Sequence, residues 1–347
     1  ASIDGGTQWH PLTLDLPGVQ VRDLTIDARQ GELLAATHGR AFWILDNLAL
    51  LEQLARESAP SGGELQIFGP ETAWLTQSYG GGAAGSNLGE NPLYGATVFF
   101  NLPPNYDGRT ELTLSFIDAN GSTIRDFGLH LASKHEKTQS PEREADLDTT
   151  QRRENALKAL TEVRPGMNVF QWDLRYPPAY DVPGFRGLFT DDWPDTSDGP
   201  TILPGKYETV LRYGGTTLRA PLVVQLDPRV HPASGELEAR LALEAQILRT
   251  IDRLDKAIFN AMSARGRLPA AKRAQVDREV AEMVNLNVHS SEADLMIETK
   301  IREQLAFLMN QLEGAYARPT VAQYAAYEQL KTLASAGIER LQALSRP

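Results

Sequence analysis

The 347-residue chain has no cysteine and only six histidines. Without thiols it has no disulfide, no thiolate zinc site and no cysteine nucleophile. The histidines are scattered and contain no H-E-x-x-H pair, so the sequence gives no local support to a histidine-built zinc site. No stretch approaches the roughly 18 apolar residues that a membrane-spanning helix needs. We therefore expect no transmembrane segment in this chain.

An excess of basic residues is also lacking. Residues 232–347 hold 15 acidic and 15 basic side chains, so the whole net charge of −11 lies in residues 1–231. A nucleic-acid-binding protein usually presents a basic face, and neither part of the chain has a basic excess. Nucleic acid is therefore excluded as the expected partner.

The composition changes near residue 232, because only four of the 21 prolines lie beyond that point. Before it, short β-type runs alternate with Gly, Pro, Asn and Asp turns, as in β-sandwiches and barrels. After it, apolar residues recur at helical spacing. The sequence predicts a multidomain chain, β first and then α, with a helical bundle in 232–347.

The β part divides again at the Gly/Ser/Pro-rich residues 58–63. Residues 1–57 read as a few strands followed by a short helix. Residues 64–231 hold seven strand candidates, which predicts an immunoglobulin-like or fibronectin-like β-sandwich. A polar stretch at 134–158 interrupts these strands and is interpreted as a solvated insert.

Two features predict how the helical part is built. Ile301, Leu305, Leu308 and Leu312 fall on one stripe, as expected for a core-facing helix. Thr320 follows Pro319 and precedes Gln323 by three residues, the spacing of a capping box. We expect three or four packed helices over 234–345 and no cofactor among them.

The first nine residues fit S-x-D-x-G-x-x-W, the Asp-box, through Ser2, Asp4, Gly6 and Trp9. The Ser and Asp side chains can hydrogen-bond the turn backbone, the Gly permits the bend, and the Trp packs beneath it. The motif predicts a structural turn rather than a catalytic Asp4.

A second motif surrounds His38, Gly39 and Arg40 in the sequence Thr-His-Gly-Arg-Ala-Phe-Trp-Ile-Leu-Asp. His38 and Arg40 form either a pair in an active site or, as we favour, a local hydrogen-bonded edge. Gly39 permits a bulge or a close backbone approach there.

Together these motifs resemble the last blade of bacterial sortilin-like, Asp-box (BNR-repeat) β-propeller proteins. Later segments, including Asn168 to Tyr176, Pro204 to Tyr207 and Asp227 to Val230, are similar to the region that follows the propeller in that family. The resemblance implies the C-terminal portion of a secreted or periplasmic protein. A propeller needs several four-stranded blades, and residues 1–57 supply about one. We therefore expect the blade to pair with a protein partner, as in an accessory subunit of a larger, membrane-associated assembly.

The acidic loop at 191–199 is the candidate small-molecule site. Its carboxylates Asp191, Asp192, Asp195 and Asp198 are oxygen ligands that suit calcium, although their spacing is not that of an EF-hand. Trp193, together with Tyr176 and Tyr180, could stack on a ligand ring. The alternative is a solvated turn and a long loop that packs back on the protein.

No motif in the chain assembles a catalytic constellation. The first interpretation is therefore a non-catalytic, extracytoplasmic binding or scaffold protein without a cofactor, apart from the candidate calcium site. The alternative is a glycoside hydrolase, or a carbohydrate-binding portion of one, which the family's common label and the Trp193 loop suggest. Two carboxylates separated by about 5–10 Å across a cleft would be its signature.

Overall fold

The computed structural model describes residues 1–2, 4–12, 14, 16, 18–29, 31–56, 63–76, 94–132, 157–185, 198–286 and 298–346. The chain divides into two compact units. The first comprises Ala1–Ser133, Leu160–Asp173 and Pro204–Asp227; the second comprises Lys134–Ala159, Leu174–Leu203 and Pro228–Pro347. Residues 174–203 thus cluster with the C-terminal residues, although proline-rich sequence places them in the β part. The predicted boundaries of three domains stay a prediction.

In the described ranges, the first unit holds the following strands together with a helix. Its strands are β1 (Val21–Asp27), β2 (Glu32–Thr37), β3 (Phe42–Leu45), β4 (Gln66–Ile67), β5 (Ala73–Leu75), β6 (Ala96–Leu102), β7 (Leu112–Asp118), β8 (Thr123–Leu131), β9 (Glu162–Val163), β10 (Gly166–Trp172), β11 (Gly205–Tyr213) and β12 (Thr216–Leu226). Helix α1 (Leu48–Arg56) follows β3.

These strands form three sheets. The first has the order β1-β2-β3, the second β10-β6-β4 and the third β5-β12-β11-β7-β8-β9. Most pairs are antiparallel, whereas β5 pairs with β12 and β9 pairs with β8 in parallel. The hairpin between β11 and β12 turns at Gly214 and Gly215, both at positive φ, where glycine carries no steric penalty.

Aromatic side chains of the second and third sheets meet in a common core. The ring of Trp172 on β10 stacks on that of Phe116 on β7, with centroids 4.0 Å apart. Phe170 of β10 and Phe127 of β8 lie 4.7 Å apart. All four side chains are buried, and burying each aromatic is worth about 1.5–3 kcal/mol.

The second unit is mainly helical. Its helices are α2 (Glu236–Arg265), α3 (Ala270–Met283), α4 (Ile301–Glu313) and α5 (Val321–Leu344). Their apolar faces share one core with Ala179, Val182 and Phe185 from the segment before residue 186. None of the helices within the described ranges combines the length and apolarity needed to cross a bilayer.

Side chains fix the starts of the last two helices. At α5, the Gln323 backbone N–H donates to Thr320 Oγ1 (3.2 Å) and the Thr320 N–H donates to Gln323 Oε1 (2.8 Å), which confirms the predicted capping box. At α4, the carboxylate of Glu303 accepts from the N–H groups of Lys300 and Asn285, both at 2.8 Å. Burial raises the pKa of Glu303.

The predicted succession of β structure and then helices is confirmed. The strands β5 and β9 were not predicted, because three and two residues are too short to show a periodicity. Leu305, Leu308 and Leu312 on the predicted stripe are buried. The proposed polar insert at 134–158 lies outside the described residues, apart from 157 and 158.

Candidate functional site

The Asp-box forms a closed hydrogen-bonded turn. Ser2 Oγ donates to Asp4 Oδ1 (2.8 Å) and accepts from the Gly6 N–H (2.8 Å). Asp4 Oδ1 also accepts from the Gln8 N–H at 2.9 Å, and this bond holds the pKa of Asp4 below its usual value. The Asp4 carboxylate is thus engaged by the turn itself, in a structural role.

Trp9 closes the turn from one side. Its indole N–H donates to the Gly6 carbonyl at 3.1 Å. Two atoms of its ring would lie 3.9 Å from a Cβ at Gly6, while the side chain remains 74% exposed. The Asp-box therefore presents a large apolar ring to the surroundings.

His38, Gly39 and Arg40 lie together on an exposed turn between β2 and β3. Gly39 has a φ of +80°, and the turn closes through Thr37, whose N–H and hydroxyl both donate to the Ala41 carbonyl. Nδ1 of His38 lies 3.5 Å from a guanidinium nitrogen of Arg22. The Arg40 carbonyl accepts from the Trp43 indole N–H (2.9 Å). Within the described residues these contacts stay inside the β1-β2-β3 sheet and its turns, and the roles of His38 and Arg40 stay a prediction.

The pairing register of β1, β2 and β3 divides their side chains between two faces. Residues opposite each other in antiparallel strands point to the same side of the sheet. Leu24 lies opposite Ala35, and Ala35 lies opposite Trp43, which places all three on one face. Leu34 lies opposite Ile44, on the other face, which Phe42 shares through the alternation along β3. Apolar side chains therefore occupy both faces.

Much of this apolar surface is exposed. We use the name sheet patch for Leu24 and Ile26 on one face and Phe42 and Ile44 on the other. Their exposed fractions are 60%, 60%, 75% and 55%. A continuous apolar run such as Phe-Trp-Ile-Leu in β3 is typical of a strand covered on both faces. Strand β3 thus has the sequence of a buried strand, whereas its Phe42 and Ile44 are exposed.

Helix α1 ties the segment after this sheet to residues 69–71. The Gln53 amide exchanges two hydrogen bonds with the backbone of Gly69, donating at 2.9 Å and accepting at 2.7 Å. Glu71 Oε1 accepts from the Ala49 N–H (3.0 Å) in the first turn of α1, where a carboxylate is favourable. Burial is the main cause of the raised pKa of Glu71. The sheet patch is therefore followed by a firmly anchored helix.

The candidate calcium loop lies largely outside the described residues. Asp191, Asp192, Trp193 and Asp195 all belong to that undescribed part, and only Asp198 is placed, as a half-buried residue. Across the described ranges no group of three or more His, Cys, Asp or Glu side chains is arranged to hold a metal ion. Calcium binding at this loop stays a prediction.

Tyr176 and Tyr180 are half-buried in the second unit. The Tyr180 N–H donates to Asp252 Oδ1 (3.1 Å), and the centroid of the Tyr180 ring lies 5.4 Å from that of Phe259. Asp252 and Phe259 both belong to α2. The Tyr176 N–H donates to the Pro200 carbonyl (3.0 Å). Both tyrosines are positioned by contacts within the unit, and ligand binding by them stays a prediction.

A cluster of buried and half-buried charges was not predicted from the sequence. We use the name charge cluster for Arg240 and Glu244 of α2, Glu313 of α4, and Arg175. The Arg175 guanidinium bonds both carboxylate oxygens of Glu313, the longer contact being 3.1 Å. Arg240 Nε lies 3.4 Å from Glu244 Oε1. The i, i+4 spacing of Arg240 and Glu244 beside Leu243 was the one local signal of this cluster.

Comparisons of the chain with protein-family models, curated proteins and solved structures found no match. The resemblance to sortilin-like Asp-box proteins therefore rests on the sequence motifs and on the turn that they form.

Proposed function

We propose that this protein is a non-catalytic, extracytoplasmic scaffold that makes protein–protein contacts through the sheet patch. In this proposal it is the C-terminal portion of a sortilin-like, Asp-box β-propeller protein. The sheet β1-β2-β3 is a propeller blade, the other two sheets form an immunoglobulin-like sandwich, and the helices form a bundle. The observation that carries the proposal is the exposure of apolar side chains on both faces of one sheet.

The free energy available to such an interface is large. Fully burying a Phe or Ile side chain is worth about 1.5–3 kcal/mol, and the sheet patch offers four large side chains that are more than half exposed. Leu24 with Ile26 and Phe42 with Ile44 form two apolar pairs on opposite faces of the sheet, and exposed apolar patches mark interaction sites on soluble proteins.

The chemistry of the sheet patch favours another β-sheet as its partner. Flat rows of apolar side chains, spaced by the strand pleat, pack best against a second sheet about 10 Å away. Within the described residues β1 and β3 are the outer strands of a three-stranded sheet, one strand short of a propeller blade. A neighbouring blade with an apolar face supplies both a sheet that packs on these side chains and a strand that pairs with an outer strand.

The test is site-specific cross-linking in cells that express the full protein. The photoreactive amino acid p-benzoylphenylalanine replaces Phe42 in one variant and Tyr324, which is 38% exposed on α5, in a control. We expect cross-links from position 42 to apolar residues of a β-strand, and none of that kind from position 324. In addition, Phe42→Asp should release the protein from the complex that the wild type forms.

Two results would overturn the proposal. The first is migration of the native protein as a lone monomer, with no cross-link from position 42. The second is turnover of a glycoside or peptide by the pure protein that one carboxylate substitution abolishes. The glycoside hydrolase alternative depends on the loop around Trp193, outside the described residues, and stays a prediction.

A further inference from the structure

The charge cluster places a carboxylate in the interior of the helical unit with little to stabilise its charge. The Glu244 side chain is fully buried. Within the described part of the chain neither of its carboxylate oxygens accepts a hydrogen bond. The nearest cation is Arg240, whose Nε approaches Oε1 to 3.4 Å without forming a hydrogen bond. An ionised carboxylate normally requires both a counter-charge and donors when it is buried.

The two arginines of the cluster are committed to other acceptors. Arg240 donates through Nη1 to the Ala315 carbonyl (3.0 Å), and its guanidinium carbon lies 5.6 Å from the Tyr316 ring centroid. Arg175 donates to Glu313 and, at 2.9 Å, to the Gly199 carbonyl. The negative charge of Glu313 acts against ionisation of Glu244, so the arginines offset only part of the cost.

The other ionisable groups on or near this part of α2 do not offset the cost of ionising Glu244. Nη2 of Arg318 would lie 3.7 Å from a Cβ at Gly235, where α2 begins. The Tyr327 hydroxyl of α5 donates to the Gln246 carbonyl (3.1 Å) and bonds the Thr250 hydroxyl. Asp252, two turns beyond Glu244, holds the Tyr180 N–H and pairs with Lys256. Arg240, Arg175 and Glu313 are therefore the charges that decide the state of Glu244.

We propose that Glu244 is a proton-binding site, and that its loss of the proton loosens the packing of residues 174–185 on α2 and α4. These residues include Arg175, which pairs with Glu313 in the charge cluster and favours the ionised form of Glu244. They are also held by the Tyr180 N–H on Asp252 and by Phe185, over whose ring the Arg302 guanidinium lies at 3.9 Å. An ionised Glu244 gains hydration when this segment opens, whereas a neutral one does not.

The direction of the pH effect follows from the burial of the acid. Burial raises the pKa of Glu244 to about 7, against partial compensation by Arg240. The folded protein therefore binds this proton more tightly than the unfolded chain, in which the pKa is that of an ordinary glutamate. The resulting stabilisation is complete below the unfolded pKa and is lost as the pH rises to about 7. Above that value the contribution stays constant.

The experiment compares the pH dependence of unfolding in the wild-type protein, Glu244→Gln and Glu238→Gln. Glu238 lies on the same helix and is exposed, so it provides a matched control. Between pH 5.5 and 8 we expect the unfolding constant of the wild type and of the control to rise about 30-fold more than that of Glu244→Gln. At pH 8, Glu244→Gln should be the more stable protein.

Hydrogen exchange on the unmodified protein tests the second half of the proposal and needs no variant. Protection factors of residues 176–185, corrected for intrinsic exchange, should fall between pH 6 and 8, whereas those of the core of α5 should change less. A pH profile of unfolding shared by the wild type and Glu244→Gln would refute the proton site. A profile that differs, with unchanged protection of residues 176–185, would refute its coupling to the segment.

Discussion

The sheet β1-β2-β3 and the helical unit depart from ordinary burial in opposite directions. The sheet leaves Leu24, Ile26, Phe42 and Ile44 more than half exposed. The helical unit buries Arg240, Glu244, Asp255 and Arg302 almost completely. Exposed apolar clusters and buried charges are the informative exceptions to the rule that apolar groups lie inside. Stability of the fold alone therefore explains neither the exposed apolar side chains of the sheet nor the buried charges of the helical unit.

The two regions differ in the process that can release free energy from them. An exposed apolar side chain costs the folded chain little and gives its burial energy to whatever covers it. A buried ion pair has already lost its hydration. Removing one partner is therefore costly, whereas replacing both partners by apolar residues often leaves the stability unchanged. The sheet is thus suited to binding, and the helical unit to a response that depends on charge.

The largest expected effect tests the apolar core of the helical unit. Leu305 is fully buried on α4, between the buried charges Glu303 and Arg302 and the apolar Leu308. Leu305→Asp replaces a packed apolar side chain by a buried carboxylate and should lower the free energy of unfolding by about 3–5 kcal/mol. Urea unfolding measured by circular dichroism at 222 nm gives this value directly.

Gln304→Asp is the matched control for this substitution. Gln304 adjoins Leu305 but is exposed, so a new charge there remains hydrated. The control should change the free energy of unfolding by less than about 0.5 kcal/mol. Equal effects of the two substitutions would show that the face of α4 has been assigned wrongly.

Most of the regular elements were predictable from local patterns. The β11–β12 hairpin shows its turn as Tyr-Gly-Gly-Thr, and the capping box of α5 shows itself in Thr320 and Gln323. These features depend on residues a few positions apart. The packing of Ala179, Val182 and Phe185 among the helices was not predictable, since it depends on contacts with residues far along the chain.

The candidate sites show the same limit. The Asp-box turn was predictable because all of its hydrogen bonds join residues at most four positions apart. The charge cluster was not, because the pair between Arg175 and Glu313 spans 138 positions. The exposure of Phe42 and Ile44 is the opposite of what the apolar sequence of β3 predicts, so only the structure shows it.

The pair between Arg302 and Asp255 offers the second test. Both side chains are fully buried, and Arg302 Nε lies 3.4 Å from Asp255 Oδ2. Arg302→Met keeps most of the side-chain volume and leaves a buried carboxylate without this cation, so the free energy of unfolding should fall by about 3 kcal/mol. Adding Asp255→Leu should restore most of the loss, as measured by the same urea unfolding. If the double variant is as unstable as the single one, the loss does not come from the carboxylate left without this cation, and the prediction is wrong.

The smallest expected effect is that of an Ile-to-Thr substitution in the sheet patch, which we compare with the same substitution in the helical core. Ile44 is 55% exposed in the sheet patch, whereas Ile251 is fully buried on α2. Ile251→Thr removes apolar atoms from a packed core and buries a hydroxyl, at a cost of about 2 kcal/mol. Ile44→Thr leaves a β-branched residue in a strand and exposes the hydroxyl to water, so its effect should stay within about 0.5 kcal/mol. Calorimetric unfolding of the isolated protein measures both. A loss at Ile44 as large as that at Ile251 would mean that the sheet patch supports the fold itself, and its apolar side chains would then no longer be evidence for a partner.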